Sequence, residues 1–325
     1  MKKTSIDIFA VIIRQPFEYA RFRLLGRELS EYAEHNLKAL PHLVTDCEKN
    51  LQIPDNFGYL AVLYSDMPLI TIDILREAAA FMEAHCVKKI ALGRGFMITP
   101  DGIDKKLPPY NLNISDFLSV NDTIGLKVVY NEMRKRIIAE HIKNGVIILD
   151  DDAVIDDTVV LERGAVIEGG SRITGNSVIK EGAVIKSSRI EDSVIGRNTT
   201  VGPFSYIRLD SVIGDNARIG DFVEVKKSRL GAGVKAAHLS YIGDAEVGAD
   251  TNIGCGTVFC NYDGKHKHQT AVGNNVFIGA NTNLVAPVEV GNGVFIAAGT
   301  TVTRDLPDDT FCIGRVKQNV KPKRK

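Results

Sequence analysis

The chain lacks a charge bias, paired cysteines and long apolar runs, and each absence removes a class of protein. Its 40 basic residues balance 40 acidic ones, so no global field draws it to nucleic acid or to a membrane surface. The longest apolar stretches, FAVII and YLAVLY, fall far below the ~20 residues that a membrane span requires. The opening MKKTSIDIFAVII runs into a polar, arginine-rich stretch with no small-residue cleavage site, which reads as a cytoplasmic protein. Cys47, Cys86, Cys255, Cys260 and Cys312 form an odd set with no CxxC pair, so neither a disulfide framework nor a zinc site is expected. His266 and His268 have ligand-like spacing, but two in a polar loop are too few for a metal centre. Length is not scarce: 325 residues exceed the roughly 250 at which one hydrophobic core stops growing, which predicts two domains.

What the chain does contain is a rhythm of six. Ile155, Leu161, Ile167, Ile173, Ile179 and Ile185 form one run, and Ile195, Val201, Ile207, Ile213, Ile219 and Val225 a second. A third comprises Val272, Ile278, Leu284, Val290, Ile296 and Val302. Six is neither the helical period nor a long run of the strand period; it reads as one short strand plus one corner, with one large aliphatic inward per face. Gly, Asn and Asp recur just after the aliphatic, as in IGDN, VGNN and IGRN, where corners need residues that tolerate positive φ. Hexapeptide repeats of this kind predict a parallel β-helix, left-handed in the usual form of the pattern. Three faces make a coil of eighteen residues, so residues eighteen apart stack at about 4.8 Å. Arg208 and Lys226 are such a pair, and two stacked cations suit a phosphate or carboxylate between them; two solvated surface charges are the plainer alternative. The rhythm stops for CNYDGKHKHQ, residues 260–269, which reads as a functional arm on a rigid support.

Ahead of the repeats, strand-like IDIFAVII, YLAVLY and KKIALG mix with helical GRELSEYAEHNLKAL and TIDILREAAAFMEAH, a small α/β layer. DTIGLKVVYNEMRKRIIAEHIKNG reads as an amphipathic connecting helix with Leu126, Tyr130, Met133 and Ile137 on one stripe and a stop at Asn144 and Gly145. The expected organisation is an α/β domain over 1–118, a connecting helix over 119–145 and the β-helix over 146–325.

The stretches VGPFSYIR, IGDFVEVKKSRLG, KAAHLSYIGDAEVG, NIGCGTVFCNYDGKHKH, NLVAPV and IAAGTTVTRD closely resemble the acetyltransferase half of a bacterial bifunctional enzyme. That enzyme joins glucosamine-1-phosphate N-acetyltransferase to N-acetylglucosamine-1-phosphate uridylyltransferase and makes UDP-N-acetylglucosamine, a cell-envelope precursor. The resemblance runs from about Val120 to Arg315. It implies His238 as the general base that accepts a proton from the sugar amine, a task that suits a neutral imidazole near pH 7. It implies Arg208, Lys226, Tyr241, Asn252 and Lys267 as contacts of the sugar phosphate. It places Asn261, Tyr262, Ala280, Ala298 and Arg315 at acetyl-CoA positions, with the N–H of Cys255 as oxyanion donor. The Cys255 thiol reads as a small buried hydrophobe rather than a nucleophile. Glu224 stands beside the clamp and could orient the amine or the imidazole. A homotrimer with the site between subunits follows from the same resemblance.

The front end resembles a reduced, shortened nucleotidyltransferase domain. YSDMPLI matches the strand end that carries an Asp metal ligand, here Asp66, and FLSVNDTIGL the segment that carries an Asn ligand, here Asn121; Mg²⁺ is the ion implied. Where the family has a glycine-rich loop, this chain has RQPFEYARFRLLGREL, with no glycine before Gly26. Bulky residues there keep backbone N–H groups from cradling a triphosphate, so acetyl transfer is expected and uridylyl transfer is not. The competing readings are a bifunctional enzyme that still transfers a uridylyl group, and a catalytically silent trimeric scaffold that binds CoA or nucleotide. The KPKRK tail reads as a solvated terminus.

Overall fold

The computed structural model describes residues 7–46, 56–102, 110–111 and 115–322. Cys47 and the last three residues of the KPKRK tail lie outside them. Contacts divide the chain into two compact units, Met1–Lys135 and Arg136–Lys325, and the division falls inside the helix Thr123–Lys143.

In the first unit a six-stranded sheet runs in the order His42–Thr45, Ile8–Ile13, Tyr59–Tyr64, Gly95–Ile98, Lys89–Leu92, Tyr110–Asn111. Its first three strands are parallel, and IFAVII and YLAVLY are apolar on both faces, as strands covered on both sides must be. The helix Ile72–Ala84 starts where the Thr71 side chain accepts from the Ile74 N–H at 3.4 Å. It packs Leu75, Ala78, Ala79 and Met82 into the same core as Ile8, Ala10, Ile12 and Leu63. The helix expected over GRELSEYAEHNLKAL is shorter, a 3₁₀ turn Leu29–Glu31 followed by Tyr32–Leu37. Leu25 and Gly26, at φ 48° and 98°, form a hairpin turn that pairs Arg23–Leu24 with Arg27–Glu28 and takes those residues from the helix.

The second unit is a parallel β-solenoid. Its strands, two to four residues each, form three sheets of nine, eight and ten. Every member of the three six-residue runs is buried, and they belong to one continuous core. Burying each aliphatic stabilises the fold by about 1.5–3 kcal/mol, while Asn198, Asn216, Asp250 and Asn275 turn corners at φ 54–57°. A strict coil of eighteen is corrected: Arg208 pairs with Lys226, eighteen on, but Lys226 pairs with Gly243, seventeen on. Some corners omit a residue, and at these Ser187, Asp192, Lys227 and Asp244 adopt positive φ to tighten the turn.

The helix Thr123–Lys143 buries Val129, Met133 and Ile138, whereas Leu126, Tyr130 and Ile137 of the expected stripe are only half-buried. Among the described residues no helix is long and apolar enough to cross a membrane.

Candidate active site on one edge of the solenoid

Register alone assembles the first part of the site. Ile219, Ala236, Ile253, Ile278 and Ile296 stack inward on successive coils. Two positions after each, at the same corner, stand Asp221, His238, Cys255, Ala280 and Ala298. One edge thus carries a carboxylate, an imidazole and then a column of small residues, with Arg315 at its far end donating from Nη1 to the Ala298 carbonyl at 2.5 Å. His238 Nδ1 lies 3.0 Å from Asp221 Oδ1. With Nδ1–H donated to that carboxylate, Nε2 is left as an acceptor on an exposed ring. Cys255 is exposed, which corrects the expectation of a buried thiol: it sits on the corner, two residues past the inward Ile253. Among the described residues its N–H donates to no other group.

The adjoining nine-stranded face carries the cations. Arg208 and Lys226 are register partners, and each has its own carboxylate. Arg208 donates from Nε and Nη2 to Glu224 Oε1 at 3.0 and 2.7 Å, and Glu224 raises the guanidinium above its ordinary value. Lys226, buried, lies 3.7 Å from Asp244 Oδ2. Intramolecular anions therefore relieve the repulsion between the stacked cations. Glu224 serves Arg208 here, and Asp221 is the group that meets the imidazole. Tyr241 lies along its strand over Gly243, where a Cβ would come within 2.3 Å of the phenolic oxygen. The ring needs that glycine.

The polar insert folds back onto this face. Asn261, buried, donates to Asp244 and, at 3.4 Å, to the Tyr241 hydroxyl. The N–H groups of Lys265 and His266 donate to Asp263 Oδ1 at 2.7 Å each, and His268 Nε2 meets its Oδ2 at 2.7 Å. The His266 N–H, then His268, then the Lys265 N–H, hold that carboxyl far below the usual carboxylate range. Tyr262 and Lys267 bridge across the loop, which brings Lys267 against Lys226. The neighbouring Lys226 pushes Lys267 below an ordinary lysine, an arrangement that an arriving dianion would relieve.

One chain does not gather every expected residue. Asn252 lies on the ten-stranded face, in register with Lys235 and Phe277, a different face from Arg208, Glu224 and Tyr241. Asp66 and Asn121 belong to the first unit. The residues following Asp221 and His238 at the corner, Phe222 and Leu239, are 59% and 60% exposed at φ 57° and 37°. Phe204, one coil earlier, is exposed at φ 58° and stacks on Phe222 at 5.8 Å. Bulky side chains in this region cost about 1–3 kcal/mol each.

Asp221 and Asp244 were not found by spacing. Eighteen residues before His238 is Gly220; the shorter coil brings Asp221 into register instead. The available signal was positional, since Asp221 follows Ile219 as His238 follows Ala236.

Short strands, inward aliphatics and polar residues on the corners define a solenoid of the hexapeptide-repeat class. The bacterial transferase hexapeptide model of six repeats matches residues 270–304, and the GMPPB C-terminal domain model matches residues 138–229. The bifunctional protein GlmU of Clostridium perfringens is 38% identical over 336 residues, covering 98% of this chain and 70% of that protein. The chain belongs to the GlmU family. GlmU of Clostridium acetobutylicum is 47% identical over 234 residues, 66% of this chain and 51% of that protein. The chain thus spans about half the length of that relative. A solved Arabidopsis UDP-N-acetylglucosamine acyltransferase is 17% identical, over 50% of this chain and 68% of that one, at a TM-score of 0.32.

Proposed function

We propose that the protein transfers the acetyl group of acetyl-CoA directly to the amine of glucosamine 1-phosphate, or of a close amino-sugar phosphate, as a homotrimer. The observation that carries this reading is the edge on which Asp221, His238, Cys255, Ala280 and Ala298 stand in register. A base next to a column of small residues suits a thioester lying along that column. His238 Nε2 accepts the amine proton as the nitrogen attacks the thioester carbon. The Cys255 N–H donates to the developing oxyanion, and the CoA thiolate leaves and is protonated by the imidazolium. Arg208, Lys226 and Lys267 supply the positive charge that a sugar phosphate requires, and Asn261, Tyr262 and Arg315 bind the acyl donor. The Nδ1 contact makes Asp221 a positioning residue.

Asn252 on a separate face, and exposed apolar residues in strained conformations beside His238, support a site completed by a second copy. Release of free thiol from acetyl-CoA upon addition of glucosamine 1-phosphate tests the reaction, and no release in excess of hydrolysis would refute it. Subunit sharing makes its own prediction. Arg208→Ala and Asn252→Ala chains, each inactive alone, are expected on co-expression to recover up to about one quarter of wild-type turnover, the random share of intact sites in a cyclic trimer. No recovery would place both residues within one chain's site. For Asp221, Ala is expected to lower kcat by roughly tenfold or more with KM little changed, and Asn, whose NH2 can donate to Nδ1 and leave the proton on Nε2, is expected to lose at least as much. An Asp221→Ala kcat within a few fold of wild type would show that the contact does not orient the ring.

A further inference from the structure

We propose that Arg94 is a built-in cation on Asp66, standing where a divalent metal would be required, so that the first unit keeps its acidic strand end without a metal and performs no metal-dependent nucleotidyl transfer. The inference is independent of the acetyl-transfer reading, which concerns the solenoid alone.

Asp66 follows the strand Tyr59–Tyr64 and is 2% exposed. Its Oδ2 accepts from Arg94 Nη1. The other arm of the guanidinium, Nη2, donates to Gln15 Oε1 at 2.9 Å, and its central carbon lies 4.6 Å from the Tyr64 ring centroid. Carboxylate, amide and ring face together fix the planar fork. Gln15 belongs to RQPFEYARFRLL, the stretch that replaces a glycine-rich phosphate loop.

The backbone is built to deliver this arginine. Lys89–Leu92 and Gly95–Ile98 form a hairpin in which Leu92 pairs with Gly95, leaving Gly93 and Arg94 as a two-residue turn. A Cβ at Gly93, where φ is 66°, would come within 2.3 Å of the Phe117 carbonyl oxygen, and one at Gly95 within 2.2 Å of the Val62 carbonyl oxygen. Only glycines on both sides let the turn seat this close to the sheet, and that seating sets Arg94 over Asp66.

With Arg94 in place, the remaining donors do not fit Mg²⁺. That ion demands near-octahedral oxygen ligation and is usually held by one or two carboxylates together with phosphates and water. Asp66 Oδ1 is buried with no hydrogen-bond partner among the described residues, so one oxygen is all that the carboxylate has left to offer. The Asn121 side chain is exposed and donates to Ser119 Oγ at 3.0 Å. Among the described residues no group of three or more His, Cys, Asp or Glu is placed to hold a metal. A dication arriving at Asp66 would also face, at short range, the guanidinium already paired with that buried carboxylate.

Titration of Mn²⁺ into the full-length chain, followed by loss of the free-ion EPR signal, tests the proposal. Wild type and Asp66→Asn are expected to show the same non-saturable background. Arg94→Ala, which removes the cation and frees the carboxylate, is expected to gain a saturable site that a second change, Asp66→Asn, abolishes. Should Arg94→Ala fail to fold, Arg94→Gln keeps the stem against Tyr64 and serves the same comparison. A saturable site in wild type that Asp66→Asn removes would overturn the proposal, as would a folded Arg94 variant that still takes up no metal.

Discussion

Replacement of His238 by Ala is expected to lower kcat for acetyl transfer by about 10²–10⁴, which corresponds to roughly 3–5 kcal/mol of transition-state stabilisation. The amine of an amino sugar is not nucleophilic while protonated, and a neutral amine that attacks a thioester must lose a proton as the bond forms. His238 is the imidazole on the edge itself, with Nδ1 directed to Asp221. His268, in the polar insert, already has Nε2 against Asp263 at 2.7 Å and is not free to substitute. The deficit is expected in kcat, with KM for acetyl-CoA nearly unchanged, since the small-residue column is untouched. It is expected to narrow as pH rises, because more of the substrate amine is then free without help from the protein. Free-thiol release at several pH values measures both effects, and turnover within a few fold of wild type at neutral pH would eliminate His238 as the base.

Phe259→Ala is expected to destabilise the solenoid by about 3–5 kcal/mol. Phe259 is 0% exposed and is the largest of the fully buried side chains. It stacks in register with Leu284 in the core that also contains Ile242. The cavity cannot close readily, because ladder bonds such as Val258 N–H to the Thr282 carbonyl at 3.0 Å fix the coil spacing. Asn261, two residues on, is the anchor of the polar insert on Asp244, so KM for acetyl-CoA is expected to rise as well. Denaturant unfolding followed by far-UV circular dichroism reads the stability, and a loss below about 1 kcal/mol would mean that the coils relax around the gap.

The solenoid was legible in the sequence because its signal is local and repeated. Each inward aliphatic from Ile155 to Val302 declares its face by its own position, and together they form one continuous core. Arg208 over Lys226 could be read for the same reason, since that coil has the full eighteen residues. The interruption at CNYDGKHKHQ was equally plain, but not its landing place: Lys267 reaches Lys226, and Asn261 reaches Asp244, through a fold of the loop that no periodicity encodes.

Composition and period by themselves determined a parallel coil with an aliphatic interior, the faces on which its charged residues lie, and a mixed α/β unit ahead of it. Only the tertiary structure decided that Asp221 meets His238, that Glu224 and Asp244 neutralise the stacked cations, and that Arg94 sits on Asp66. The physical reason is that side-chain direction is set residue by residue, whereas register between coils depends on the length of every intervening corner. One residue omitted at a turn moves a carboxylate onto an imidazole, and a hairpin tip seated between two glycines brings an arginine to a carboxylate 28 positions away in the chain.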